Sequence, residues 1–384
     1  MNTTRQSTGP ASAPPSFLER HLVAFTILAI LQGCAICIWA PSAETFLEGL
    51  RFGQTNIPIA VGLIVMMYPS LAKIRFEEIG SLVPHLSGLR WTLLQHWLLG
   101  PLLMTLLATL FLRNEPEYAV GLILIGLARG LGGISVWTKL AEGDQQYANS
   151  IVTLNALFQL ILYPLLAWFF VSMLPPLIGM GTAAFDAEIY QYYGAVAIYL
   201  GIPLAIAVGV RLLLVKWRGR EWYEASFVPC IAPLRPAAIL FTSVVIFSLK
   251  TDELLAMPLQ LLQVGAPLAI YFCVMFLWSF FSETKRGASY SRTSTIAISS
   301  ASSNIELAVA MAVTLFGIDS AQAFATVAGP LVEIPAMVGC VSAAWYFQRR
   351  YFSAPEGIHR LPAETVVTGS SRWKRPLSST SSTP

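Results

Sequence analysis

The sequence holds 384 residues, of which 55% are hydrophobic and 12% charged, with a formal net charge of +3. Soluble domains carry about 25% charged residues, so this chain has too few to cover a water-facing surface, and its net charge is too small to suggest a nucleic-acid partner. Apolar stretches near twenty residues recur along it; that is the length a helix needs to cross hydrocarbon, where backbone groups must be satisfied inside the protein.

Residues 1–19 form a Ser/Thr/Pro-rich tail expected to be disordered, and a helical domain is predicted over 20–352. Its spans are expected at roughly 22–40, 56–74, 91–112, 118–137, 148–173, 187–214, 232–249, 262–282, 294–316 and 321–347. The first contains Cys34 and Cys37, which either pack as small side chains or present soft ligands to a thiophilic ion. The second opens on Asn56 and Pro58, a helix cap followed by a first-turn proline.

The fourth span, YAVGLILIGLARGLGGISVW, has Gly126, Gly130, Gly132 and Gly133 at its centre, with Arg129 among them. The glycines permit close packing or unwinding. Asn155 and Gln159 stand four apart on the fifth span, facing one cavity or one neighbouring helix. Arg218, Arg220, Glu221 and Glu224 read as a solvated face, and Lys250, Asp252 and Glu253 as a loop. The ninth span contains IAISSASSNIELAVAMAV, with Ser299, Ser300, Ser302, Ser303 and Asn304 preceding Glu306. Glu333 lies in the tenth, near Pro335, which is expected to disturb its helix. Residues 353–384 are a second tail expected to be disordered.

Of the 24 Lys and Arg residues, 20 fall on one side of these spans and three on the other, with Arg129 inside a span. The positive-inside rule then puts both termini and the loops after even-numbered spans in the cytoplasm. About ten spans divide into two sets of five, repeat one at about 20–173 and repeat two at about 187–347. With an odd number in each set the second must insert upside down. Such inverted repeats build many secondary transporters, and helices interrupted at matching places mark their binding site. The fourth and ninth spans are that pair.

Arg129 and Glu306 lie where an ionised group costs about 2.5–3.5 kcal/mol on insertion scales. They are expected either to lock the repeats together as an ion pair or to form a substrate and proton pathway. The four histidines, His21, His85, His96 and His359, lack metal-ligand spacing, and no metal site, enzyme motif or P-loop is present.

The stretches NIPIAVGLIVMMYPSLAKIRFEEIG, GLILIGLARG, LAEGDQQYANSIVTLNALFQ, EWYEASFVP, SSNIELAVAMAVTLFGIDSAQAFATVAGPLVEIP and WYFQRRYF closely resemble the arsenite-efflux permeases of the bile-acid/arsenite/riboflavin transporter superfamily. The resemblance runs from about residue 20 to 352. It implies an all-α, ten-span inverted-repeat membrane fold with discontinuous fourth and ninth helices. It also implies export of arsenite or antimonite against inward proton flow, at the plasma (inner) membrane and without a cofactor. The family's ninth-span glutamate corresponds to Glu306 and its arginine to Arg129. Its essential cysteine, within Ala-Arg-Cys, corresponds to Gly130; its paired asparagines appear as Ser303 and Asn304, and Thr138 follows Trp137 where asparagine is expected. The site residues so implied are Arg129, Gly130, Asn155, Ser303, Asn304, Glu306 and Glu333. A cysteine restored at position 130 is expected to add a soft ligand and so to increase the response to arsenite or antimonite. The alternatives are a related transporter of another small oxyanion or organic anion, proton- or sodium-coupled, and a transport-dead membrane sensor.

Overall fold

The computed structural model describes residues 22–52, 55–74, 86–177, 187–256 and 258–352. The expected tails lie outside them. The described chain is helical apart from a two-residue antiparallel pairing of Arg51–Phe52 with Thr55–Asn56.

Among the described residues, six helices are long and apolar enough to cross a membrane, and four shorter apolar ones accompany them. Spans 1 and 2 are Leu22–Trp39 and Ile57–Ala72. Asn56 caps span 2 as expected, its side chain accepting a hydrogen bond from the Ile59 N–H, and Pro58 follows in the first turn. Span 3 joins Leu86–Leu94, a wide π turn at Gln95–Leu99, and Gly100–Phe111. Span 4 is two half-helices, 4a (Pro116–Leu127) and 4b (Gly132–Leu140). Spans 5 and 6 are Gln145–Leu177 and Ile189–Arg218, and spans 7 and 8 are Leu234–Ala256 and Pro258–Lys285. Span 9 is again two half-helices, 9a (Tyr290–Ala301) and 9b (Ile305–Phe316), and span 10 is Ala321–Phe352.

Two expectations need correction. Lys250, Asp252 and Glu253 belong to the last turns of span 7 instead of a loop, because helix continues to Ala256. Pro335 stands inside the helix Gly329–Phe347 without breaking it. Prolines act elsewhere by a different route. The π turns Gln95–Leu99, Trp168–Met173, Ala197–Gly201 and Tyr223–Phe227 each end two residues before a proline, at 101, 175, 203 and 229. A proline ring collides with the carbonyl four residues back, and widening the preceding turn relieves that collision while the helix goes on.

Packing divides the spans into two groups. Spans 1 and 2 lie on span 7, and span 2 on span 6. Spans 3, 4, 5, 8, 9 and 10 form the second group, with 4a between spans 3 and 10 and span 8 against 9a, span 10 and span 3. Each group thus takes equivalent spans from both halves, the first two from each half in one group and the last three in the other. Spans 2 and 6 carry most of the contact between groups, span 2 reaching 4b and 9b and span 6 reaching span 5 and 9b.

The loops also segregate. Gln348 donates to Glu142, Tyr290 to the Ala141 carbonyl, and Trp91 to Ser282, all at the end where even-numbered spans finish. At the opposite end Arg51 pairs with Asp319. Large apolar side chains such as Leu106, Leu110, Ile161 and Leu262 point outward, whereas Asn155, Gln159, Ser299 and Ser300 are fully buried. A chain surrounded by lipid gains nothing by hiding leucine, and its polar groups must find one another.

Candidate functional site

The two interrupted helices cross. In span 4 the helix stops at Ala128, whose backbone turns extended at ψ 114°, and restarts after Leu131. In span 9 it stops at Ser302, at ψ 135°, and restarts after Asn304. The freed backbone groups satisfy each other. The Gly130 N–H donates to the Ser302 carbonyl and the Asn304 N–H to the Ala128 carbonyl, each at 3.1 Å. Arg129 and Ser303 are thereby paired as one rung of an antiparallel ladder. Unwound backbone inside a membrane is tolerated only where the protein supplies such partners.

The carbonyls left over are met by span 5. Gln159 donates to the Arg129 carbonyl at 2.8 Å, and Asn155 donates to the Gly130 carbonyl at 3.2 Å. Asn304 donates to Gln159 at 3.2 Å while its side-chain oxygen caps 9b at the Leu307 N–H. Span 10 does the corresponding work for span 9, where the Ser303 N–H donates to a Glu333 carboxylate oxygen at 3.2 Å. Asn155, Gln159, Ser303, Asn304 and Glu333 therefore all converge on the crossing.

The flanking spans repeat this correspondence. Tyr271 of span 8 accepts a hydrogen bond from Arg129 at 2.8 Å, and Gln95 of span 3 accepts from Ser300 at 3.2 Å. His96, fully buried, lies 3.3 Å from both Asn155 and Ser299. The π turn ahead of Pro101 carries Gln95 and His96. Reading histidines for ligand spacing alone misses His96; the useful signal was a proline five residues after a polar pair in an apolar span. Among the described residues no three His, Cys, Asp or Glu side chains are grouped to hold a metal.

Arg129 and Glu306 do not form the ion pair weighed above. The Arg129 guanidinium is fully buried and donates to the Gly126 carbonyl and to Tyr271, with Nε and Nη1 unpartnered. Gly100 leaves room for it, since a Cβ there would lie 2.7 Å from Nη1. Glu306 instead meets Arg235 of span 7 at 3.1 Å, with the two side chains 21% and 20% exposed. Arg235 is one of the 20 basic residues on the side of the termini. It stands in the first turn of span 7, and only the contact between groups shows that it faces the crossing.

Position 130 has its own geometry. A Cβ built on Gly130 would collide with Ser302 Oγ and lie 2.8 Å from Ser302 Cβ. A cysteine therefore does not simply drop in, because the Ser302 side chain already fills that volume. Cys34 and Cys37 lie in span 1, which packs on span 7; beside them a Cβ on Gly33 would come 2.7 Å from the Val244 carbonyl. Small residues there serve close helix approach.

Comparison with known proteins agrees with this architecture. A model of the Sodium Bile acid symporter family matches residues 60–257. The Arsenical-resistance protein Acr3 of Corynebacterium glutamicum is 36% identical over 353 residues, covering 91% of this chain and 94% of its own. Acr3 of Alkaliphilus metalliredigens is 28% identical, over 85% of this chain and 91% of its own. An uncharacterized transporter of Synechocystis is 29% identical, over 87% and 91%.

Proposed function

Because this chain belongs to the Sodium Bile acid symporter family, and to its Acr3-type arsenite permeases, we propose that it expels arsenite, and antimonite with it, from the cytoplasm in exchange for protons. The observation that carries the reading is Glu306. It sits in the first turn of 9b at the crossing, partly exposed, with its carboxylate on an arginine from the other group of spans. An acid so placed can trade a cation made of protein for a proton. A proton arriving on Glu306 cancels the charge that holds Arg235 and so loosens span 7 from 9b. Loss of the proton restores the contact. Alternation between these arrangements, each favouring access from one side, is the minimum an antiporter needs. Arg129 serves as the fixed charge and brace of the break in span 4.

The test is arsenite uptake into everted membrane vesicles under imposed pH gradients, with sodium gradients and other oxyanions as comparison. Uptake driven by an acid interior supports the reading; uptake driven only by sodium removes the proton from it. Both termini are assigned to the cytoplasm by the 20-to-three distribution of basic residues. Reporter fusions at residues 1 and 384 should register cytoplasmic, and an external signal from either would reverse the orientation. Glycine at the family's cysteine position favours a second reading, transport of another small oxyanion or organic anion, and the same vesicles compare the substrates directly.

A further inference from the structure

The half-helix 4b begins without a side-chain cap, since Leu131 supplies none. The first N–H groups of such a helix have no partner within it, and its dipole places partial positive charge there. Ser302 is directed at this end. Its hydroxyl occupies the volume of a Cβ on Gly130 and lies 3.5 Å from the position of a Cβ on Gly133, in the first turn of 4b. That hydroxyl is buried, with the residue 1% exposed, and has no hydrogen-bond partner. On the other flank, a Cβ on Gly132 would come 2.6 Å from Arg235 Nε. The mouth of 4b is thus lined by backbone N–H donors, the unpartnered Ser302 hydroxyl, the Ser70 hydroxyl and the Arg235–Glu306 pair.

Two guanidinium groups, Arg129 and Arg235, face two carboxyl groups, Glu306 and Glu333. A charged oxyanion would bring its negative charge against the Glu306 and Glu333 carboxyl groups. An uncharged hydroxide offers oxygens to the N–H groups and O–H groups to Ser302 and the carboxylates. The five cysteines sit at positions 34, 37, 230, 273 and 340, on helices outside both half-helix pairs.

We propose that this chain holds its ligand as an uncharged metalloid trihydroxide, bound by oxygen alone at the mouth of 4b through Ser302, with no cysteine taking part. This rests on the export reading above and names the form in which the ligand is bound. The hydroxyl of Ser302 fills the space beside Gly130, so recognition depends on hydrogen bonding and not on thiolate coordination.

The experiment is arsenite uptake in everted vesicles carrying the full chain, with membrane levels measured in parallel. Three arms are compared with wild type: Ser302→Ala, a variant with all five cysteines replaced by alanine, and wild type challenged with excess arsenate. Ser302→Ala should raise KM about fivefold, the loss of one hydrogen bond. The cysteine-free variant should keep the wild-type KM, and arsenate, an ionised oxyanion, should not compete. Five single Cys→Ala variants answer the same question should the combined one fail to reach the membrane. A cysteine whose loss abolishes uptake at normal membrane level, an unchanged KM for Ser302→Ala, or competition by arsenate would each overturn the proposal. No uptake by wild type is a different failure, that of arsenite export itself.

Discussion

The breaks in spans 4 and 9 reach one backbone solution with opposite side chains. Both stop a helix for a few residues and pair the exposed peptide groups across the crossing. Span 4 does so with glycines around one buried arginine and leaves its second half-helix uncapped. Span 9 uses serines, caps its second half-helix with Asn304, and places Glu306 in the first turn, where an acid suits the helix dipole. The difference teaches that inversion of a duplicated half fixes where the chain unwinds, while each half is free to choose its chemistry. Here the buried positive charge and open backbone lie on one side, and the partly exposed acid and the hydroxyls on the other.

That contrast predicts unequal responses to neutralising the two charges. Glu306→Gln keeps the shape and cannot exchange a proton, so gradient-driven uptake should fall to background while membrane level holds and melting temperature falls less than in Arg129→Gln. Arg129→Gln should lose uptake and melt earlier as well. It gives up charge-assisted bonds to Gly126 and Tyr271, each worth about 1.5–3 kcal/mol. Equal thermal losses in both variants, read by fluorescence-detected melting in detergent, would erase the division between a structural and an exchanging side. Uptake preserved in Glu306→Gln would hand the exchange to Glu333.

The next effect in size concerns the volume shared by positions 130 and 302. Gly130→Cys alone should destabilise the crossing by about 1–3 kcal/mol, the usual range for overpacking, and should lower arsenite uptake. Adding Ser302→Gly removes the colliding Oγ and the Cβ at 2.8 Å, so the double variant should recover stability and gain a soft ligand. A single Gly130→Cys variant that melts like wild type and exports more arsenite would show that Ser302 yields without cost.

Much of this is legible in the sequence alone. Glycine runs and serine runs inside apolar spans are costly unless they unwind for a purpose, and they stood at equivalent places in the two halves. Asn155, Gln159 and Glu333 were polar where lipid forbids idle polar groups, so their convergence on the breaks follows. Arg235 was not legible, because a cation near a span end reads as a loop cation until its partner is known. The partner of Glu306 belongs to the other group of spans, and no spacing along the sequence encodes that contact. Gly130 could be read as a missing thiol, but not as a space already taken by Ser302, since the two meet only through the antiparallel pairing.

The smallest expected effect decides whether the two breaks act as one unit. Gln159 touches both: it donates to the Arg129 carbonyl and accepts from Asn304. Asn304→Ala removes a helix cap, which costs about 1 kcal/mol, and also leaves the Gln159 oxygen without that donor. Gln159→Ala leaves the Arg129 carbonyl unmet and frees the Asn304 amide. If the amide pair ties the breaks together, the double variant should lose less stability than the two single losses combined. The expected coupling is about 0.5–1.5 kcal/mol, within the range for contacting residues. Strict additivity would mean that span 5 supports each break separately. The pairing of Ala128 through Gly130 with Ser302 through Asn304 would then hold the crossing by backbone alone. Melting in one detergent across the four proteins is enough to separate the outcomes, because both residues are buried and neither change alters the charge.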